Sequence, residues 1–418
     1  MSMKKMFFAV SVVVCMAFLT ACHPFRFINS FLVEESTNDP VVESAAEQRR
    51  EDLSGYGYRA LKSDEERRIY SILDVCLEDG NAPHFAVDND GTTDYVSDVL
   101  EMYKSDHPEV FWIDDSYGYE YITYATYTEI NLLLSVKGDE LADARETFER
   151  TVDEIIGAMP EGLSDYEKEL YINDTLISRC EYDTTAAEKE KPVGNAQNAY
   201  GALVEGKAVC EGYARAFQLL CSCAQIDCVP INGTCEGSDS AMDGNHIWDA
   251  VCLDNEWYYV DPTWNDFKPE DADYVLTDIE KHLYFNVTTE QIKKDHTINP
   301  VYGGEGEADF YNAFIPDCTA ETYNYFHYSI PLLSDLDDCE DLQSSLVYAA
   351  AAGKGSFAFR ISGSLDYDDT VTKIIDSYAA NWFAGCNAVN DGSHQLSDAC
   401  MVYAYEQMNV AAFSLDYR

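Results

Sequence analysis

The chain has 418 residues, more than one hydrophobic core ordinarily organises, and its 46% apolar and 13% aromatic content rules out global disorder, so two or three domains are expected. Charge is the extreme feature: 27 Lys and Arg against 76 Asp and Glu give −49 at pH 7. A surface that negative repels phosphate backbones and anionic headgroups, which argues against nucleic-acid binding and against docking through a basic patch.

In chain order, Lys4 and Lys5 precede an apolar run over residues 6–18 that ends at Leu19-Thr20-Ala21-Cys22. The run is shorter than the ~20 residues a spanning helix needs, and it reads as a processing signal over residues 1–21. Its ending resembles the lipobox of bacterial lipoproteins. That resemblance implies cleavage before Cys22, a lipid on the Cys22 sulfur, and a mature protein held on the outer face of the cell membrane. Residues 22–60 are polar and aperiodic apart from a short apolar patch, and read as a tether.

Ser63 and Glu66 are spaced as a capping box ahead of the apolar stripe Ile69, Ile72, Leu73, Cys76 and Leu77, and Gly80 can stop that helix. Asp88, Asp90 and Gly91 hint at a calcium loop. Aligning Gly91 with the loop's glycine puts Ala86 and Ser97 at the first and last ligand positions, which rejects it. A helix over 94–104 and strands within the aromatic, Thr-rich residues 119–136 complete a small α+β domain over 61–138.

Helical periodicity returns over 139–159 and again after Leu163, where Ser164 and Glu167 form a second capping box. Lys191-Pro192-Val193-Gly194-Asn195 breaks the pattern, and the residues with chemical character follow, between Gln197 and Asp266. Residues 301–418 read as helix, strand, helix and two strands. This is a small α/β unit without a recognisable constellation, suited to support or partner binding.

Of 14 cysteines, removing Cys15 with the signal, Cys22 by lipidation and Cys210 as a free thiol leaves an odd number, so no fully closed disulfide framework is expected. Cys221 and Cys223 lie two apart in a helical pattern and read as small buried hydrophobes, not a metal pair. Cys210 sits at the predicted first turn of a helix whose apolar positions are Ala214, Phe217, Leu220, Cys221 and Ala224. Unpaired backbone amides and the positive helix end stabilise a thiolate there, and the same amides can stabilise an oxyanion.

Residues 245–253 and 256–261 are strand-like runs separated by Asp254-Asn255, a pair suited to a tight hairpin turn. With a two-residue turn Leu253 lies opposite Glu256, so Trp248 would face Asp261 and His246 would face Thr263. His246 and Asp261 then become same-face diagonal neighbours, roughly 7 to 8 Å apart at the backbone, a gap an imidazole and a carboxylate can close. Cys210 as nucleophile, His246 as proton carrier and Asp261 as its orienting carboxylate make a thiol acyl-transfer constellation.

The runs AYGALVEGKAVCEGYA (199–214), NHIWD (245–249) and WYYVDPTW (257–264) resemble the three signature blocks of the transglutaminase-like superfamily. The resemblance covers roughly residues 139–299. It implies a papain-like α+β core over residues 139–300 with its Cys-His-Asp triad on Cys210, His246 and Asp261, acting on protein or peptide amides without cofactor or metal. Gln197 either donates to the oxyanion or structures its loop, and Trp248 and Trp264 either wall the cleft or pack the hairpin. Two departures from the family pattern stand out: Asn173 where many relatives carry His, and Asp249 where many carry Asn. Bacterial members point to peptide hydrolysis first; amine-accepting cross-linking and a catalytically silent surface-binding role are the rival readings.

Overall fold

The computed structural model describes residues 38–88, 95–115, 118–189, 194–236, 244–268, 277–390, 394–397 and 400–418. The signal segment with Cys22, half of the rejected calcium loop (residues 89–94) and residues 191–193 of the sequence break lie outside them. Where a tether was expected, two helices stand, α1 (Pro40–Arg49) and α2 (Tyr56–Ala60). α1 lies along α3 (Asp64–Glu78) with Ala46 buried, and its Arg49 pairs with Asp74 at 3.2 Å and with Glu78. A single buried alanine makes no apolar stripe, so periodicity could not announce a helix whose order comes from ion pairs to a neighbour.

α3 opens on the expected Ser63–Glu66 capping box, with both bonds made. β1 (His84–Asp88), α4 (Tyr95–Asp106), β2 (Tyr119–Thr123) and β3 (Tyr127–Leu132) follow, and the strands pair antiparallel in the order β1-β3-β2. The Asp106 carboxylate at the end of α4 accepts the amides of Gly57 and Tyr58 at 2.8 and 2.9 Å, which ties α2 down.

α5 (Asp139–Gly157) and α6 (Asp165–Arg179) come next, the second opened by the Ser164–Glu167 capping box. β4 (Glu181–Tyr182) pairs in parallel with β5 (Lys207–Ala208) across α7 (Thr184–Ala187) and a π-helical turn at Gly201–Glu205. α8 (Cys210–Cys223) is buried from Gly212 through Cys221, because it is enclosed by α6 and by an antiparallel sheet. That sheet contains β6 (Asp227–Cys235), β7 (Gly244–Leu253), β8 (Glu256–Val260) and β9 (His296–Ile298) in the order β8-β7-β6-β9. Among the described residues, three one-turn helices, α9 (Pro262–Asn265), α10 (Thr277–Glu280) and α11 (Thr289–Ile292), lie between β8 and β9. A central helix packed on an antiparallel sheet is the α+β, papain-like arrangement expected of this region. Cys221 is buried as expected, but Cys223 is exposed, on the far side of the helix from it.

One apolar core runs from Ala46 to Tyr302, so the boundary at 138/139 separates two sheets, not two cores. Across it the ring of Phe111 meets Phe148 at 5.0 Å and Tyr200 at 4.7 Å. Beyond it, α12 (Tyr325–Ser329), β10 (Leu332–Leu333), α13 (Glu340–Ala351), β11 (Ser356–Ile361), α14 (Tyr367–Lys373), α15 (Ala379–Val389), β12 (Val402–Tyr405) and β13 (Val410–Ser414) build a second core around the sheet β10-β11-β13-β12. Val410 and Ala412 of β13 join a cluster with Trp248, Ala250 and Tyr259, so this unit backs the sheet that carries the site.

Candidate active site

The hairpin forms as its turn residues dictate. Asp254 and Asn255 both take positive φ, 50° and 65°, the conformation a two-residue hairpin loop of this hand requires and one that short polar side chains tolerate. Pairing runs from Leu253↔Glu256 to Asp249↔Val260 in the expected register. It stops there. Asp261 leaves the strand to cap α9, its Oδ1 accepting the amides of Thr263 at 2.9 Å and Trp264 at 3.1 Å, and Pro262 opens the helix without an amide to satisfy. The expected Trp248–Asp261 and His246–Thr263 pairs are therefore not made, yet the carboxylate still ends on the His246 side.

His246 Nε2 donates to Asp261 Oδ2 at 2.7 Å with both groups buried. That leaves Nδ1 for the Cys210 side chain, which is near enough to help raise the pKa of the ring. Cys210 is half-buried as the first residue of α8, and Val209 before it supplies no side-chain cap, so no side chain competes for the first-turn amides. Burial works against charge on His246, but the Asp261 carboxylate and the Cys210 contact outweigh it and push its pKa up to about 10. Burial likewise opposes charge on Asp261, and the donors on His246 and His296 reverse that, holding the carboxyl well below its ordinary value. The result is an imidazole that stays protonated at neutral pH beside a thiol and a fixed carboxylate. It is the charge arrangement in which a cysteine sulfur is a nucleophile.

Residues 154–262 match the family model described as the transglutaminase-like superfamily, a span that contains all three of these side chains. This segment is a transglutaminase-like domain. Kyphoscoliosis peptidase of Mus musculus is 27% identical to the chain over 174 residues, covering 40% of this chain and 26% of that protein. The Homo sapiens protein is 26% identical over 157 residues, covering 36% and 23%. The chain thus spans about a quarter of the length of these curated relatives. A solved crystal structure of a TGase shares 11% identity over 39% of this chain and 49% of that one, with a TM-score of 0.26, too low to bear on the fold.

Gln197 ends a turn whose Ala196 carbonyl accepts the Val209 amide at 2.9 Å, so its loop is stitched to the residue before the thiol. Gly212 permits that contact, since a Cβ there would lie 2.6 Å from the Ala196 oxygen. Within the transglutaminase-like domain the two tryptophans divide their roles. Trp248 is wholly buried and packs at 5.9 Å from His246, while half-buried Trp264 stands 6.0 Å away on the outer side. Trp248 lies across β6 only because residue 233 is glycine: a Cβ there would sit 2.6 Å from the indole and 2.1 Å from the Thr297 carbonyl.

Both departures from the family pattern are buried. Asn173 accepts from Asn265 at 3.2 Å, and Asp249 accepts from the Cys228 thiol at 3.7 Å. Burial pushes the Asp249 carboxyl well above its ordinary range, against the opposing effect of the Cys228 thiol bond.

Sequence reasoning missed His296. Its Nε2 stands 3.2 Å from Asp261 Oδ2 and its Nδ1 2.5 Å from Asp295 Oδ1, while Tyr284 donates to Asp295 Oδ2 at 2.7 Å. No motif carries it, because it lies 35 residues past Asp261 on a three-residue strand outside the family match. Among the described residues, His246, Asp261 and His296 form the cluster whose donor atoms lie close enough for a metal, within 4.8 Å, but those atoms are already engaged in hydrogen bonds to one another. Burial first, then Cys210, Cys235 and Asp261, raise the phenol pKa of Tyr182.

The residues before position 139 reach the site through α8. Glu211, directly after the thiol, is held by Lys104 and Arg215, each at 3.3 Å, and Lys104 also meets Asp115 at 3.0 Å. Gln218 donates to the Ser105 carbonyl at 2.7 Å. The end of α4 thus grips the helix that presents Cys210.

Proposed function

We propose that this protein is a thiol acyl-transfer enzyme that cleaves protein or peptide amides through a thioester on Cys210. The observation that carries the reading is one imidazole, His246, bonded to a buried carboxylate through Nε2, with a helix-terminal thiol among the groups that raise its pKa. Cys210 Sγ attacks the carbonyl carbon, and the first-turn amides of α8, with Gln197, hold the oxyanion. His246 delivers its proton to the departing amine, then draws one from water or an incoming amine that resolves the thioester. Asp261 keeps the ring oriented and compensates its charge through the cycle.

The peptidase name of the mouse and human relatives supports hydrolysis, with water as acceptor. The Leu19-Thr20-Ala21-Cys22 motif supports export and a lipid on Cys22, which would set the enzyme on the outer face of the bacterial cell membrane. The test is labelling by a thiol-directed active-site probe in wild type and Cys210→Ala, followed by digestion of a peptide library. Labelling and cleavage lost together in Cys210→Ala sustain the reading. Amine incorporation without cleavage would make the protein a cross-linker, and a wild type inert in every arm would make it a binding protein.

A further inference from the structure

His296 has carboxylate oxygens at both ring nitrogens, Asp261 Oδ2 at 3.2 Å and Asp295 Oδ1 at 2.5 Å. An ionised carboxylate only accepts, so both nitrogens must carry protons and the ring is an imidazolium. The other oxygens of these carboxylates are occupied as well: Asp295 Oδ2 by the Tyr284 hydroxyl, Asp261 Oδ1 by the Thr263 and Trp264 amides. The His296 side chain is entirely buried, walled by Trp248 at 4.9 Å and Trp264 at 4.5 Å, and its centroid is 5.4 Å from that of His246. The titratable groups facing it are Asp295 on its own segment, Asp261 from the start of α9, His246 from β7, Tyr284 from the preceding loop and Cys235, its backbone partner on β6.

We propose that His296 is a positioning residue for the thiol chemistry: an imidazolium clamped between Asp261 and Asp295 that aims the Asp261 carboxylate and limits how tightly that carboxylate holds the proton on His246. This rests on the role given to Cys210 and His246 above. The physics is a division of one acceptor between two donors. Asp261 alone would bind the His246 proton so firmly that transfer to a leaving amine is impeded; a second cation on the same oxygen weakens that hold while still leaving His246 protonated at neutral pH. Asp295 makes the arrangement possible, because it supplies the second acceptor that keeps His296 charged.

The test is alkylation of Cys210 by iodoacetamide from acid to alkaline pH, read by mass spectrometry of the Cys210 peptide, in wild type, Asp295→Asn, His296→Phe and His246→Ala. Asp295→Asn can donate to His296 Nδ1, leaving a neutral ring that still donates to Asp261, so it removes charge and keeps the bond. His296→Phe removes both and keeps a ring between the tryptophans. The upper inflection, where His246 gives up its proton, is expected to rise by about one pH unit in both variants. His296→Phe alone should also lose about tenfold in rate through the freed carboxylate. Lower melting temperatures with an unmoved inflection in both variants would make His296 merely structural and overturn the inference; if His296→Phe fails to fold, Asp295→Asn decides it alone. His246→Ala reacting like wild type in mild acid would instead remove the thiol–imidazole pair, and the inference with it.

Discussion

Asp261→Asn tests the electrostatics of the site, because the change is isosteric and strikes a group with four acceptor bonds. Oδ1 takes the amides of Thr263 and Trp264, and Oδ2 takes His246 and His296. An asparagine has one carbonyl oxygen, so either orientation turns an NH2 group against two donors. A His246 pKa moved from 6.5 to about 10 corresponds to roughly 5 kcal/mol of preference for the imidazolium in the folded state, an order-of-magnitude figure that the variant would largely forfeit. Signs follow from linkage. The raised His246 pKa gives stability that is full below about pH 6.5 and lost as pH rises through about 10. The lowered Asp261 pKa gives stability that is present above the ordinary carboxylate range and lost only in strong acid. Melting curves of wild type and Asp261→Asn should therefore lie furthest apart near neutrality and converge above about pH 10. Peptide cleavage at neutral pH should fall by on the order of 10⁴ without vanishing, since nucleophile and oxyanion donors remain. Equal melting temperatures across that range, with wild-type turnover, would refute the ion-pair account.

Other predictions concern the supports of the site. Lys104→Met leaves Glu211 and Asp115 without their shared cation in a largely buried cluster, and should destabilise by about 3 kcal/mol in denaturant titration while lowering turnover; an unchanged midpoint would mean α4 does not anchor α8. Gly233→Ala drives a methyl into the Thr297 carbonyl and Trp248, and should destabilise by about 2 kcal/mol or more; a neutral result would show that β6 and Trp248 separate freely. Cys22→Ser should release the mature protein from membranes or leave an unprocessed precursor, measured by fractionation and lipid labelling, whereas unchanged labelling would remove the anchor.

The legible features were those set by short-range rules. Ser63 with Glu66 and Ser164 with Glu167 announced two helices through capping geometry, and Asp254-Asn255 set a hairpin register that carried His246 to the side of Asp261. The extrapolation failed at the residue where another local rule took over: Asp261 followed by Pro262 starts a helix, so the ladder ends at Asp249↔Val260, before the expected Trp248–Asp261 and His246–Thr263 pairs. His296 was invisible for the opposite reason. Its partners are joined by the fold, across three one-turn helices, and a lone histidine on a short strand carries no pattern. The helix α1, ordered by Arg49 against α3, and the shared core linking Phe111 to Phe148 are likewise long-range facts that neither composition nor periodicity encodes.

The central claim is that Cys210, His246 and Asp261 form one acyl-transfer unit, and trapping of the acyl-enzyme tests it most directly. Wild type, Cys210→Ala and His246→Ala would be exposed to p-nitrophenyl acetate, quenched in acid and mapped by peptide mass. The account predicts a burst of acetyl on Cys210 in wild type, none at that position in Cys210→Ala, and a rate reduced by on the order of 10³ or more in His246→Ala. Acetyl accumulating on another residue, or on Cys210 at the wild-type rate without the His246 imidazole, would contradict it.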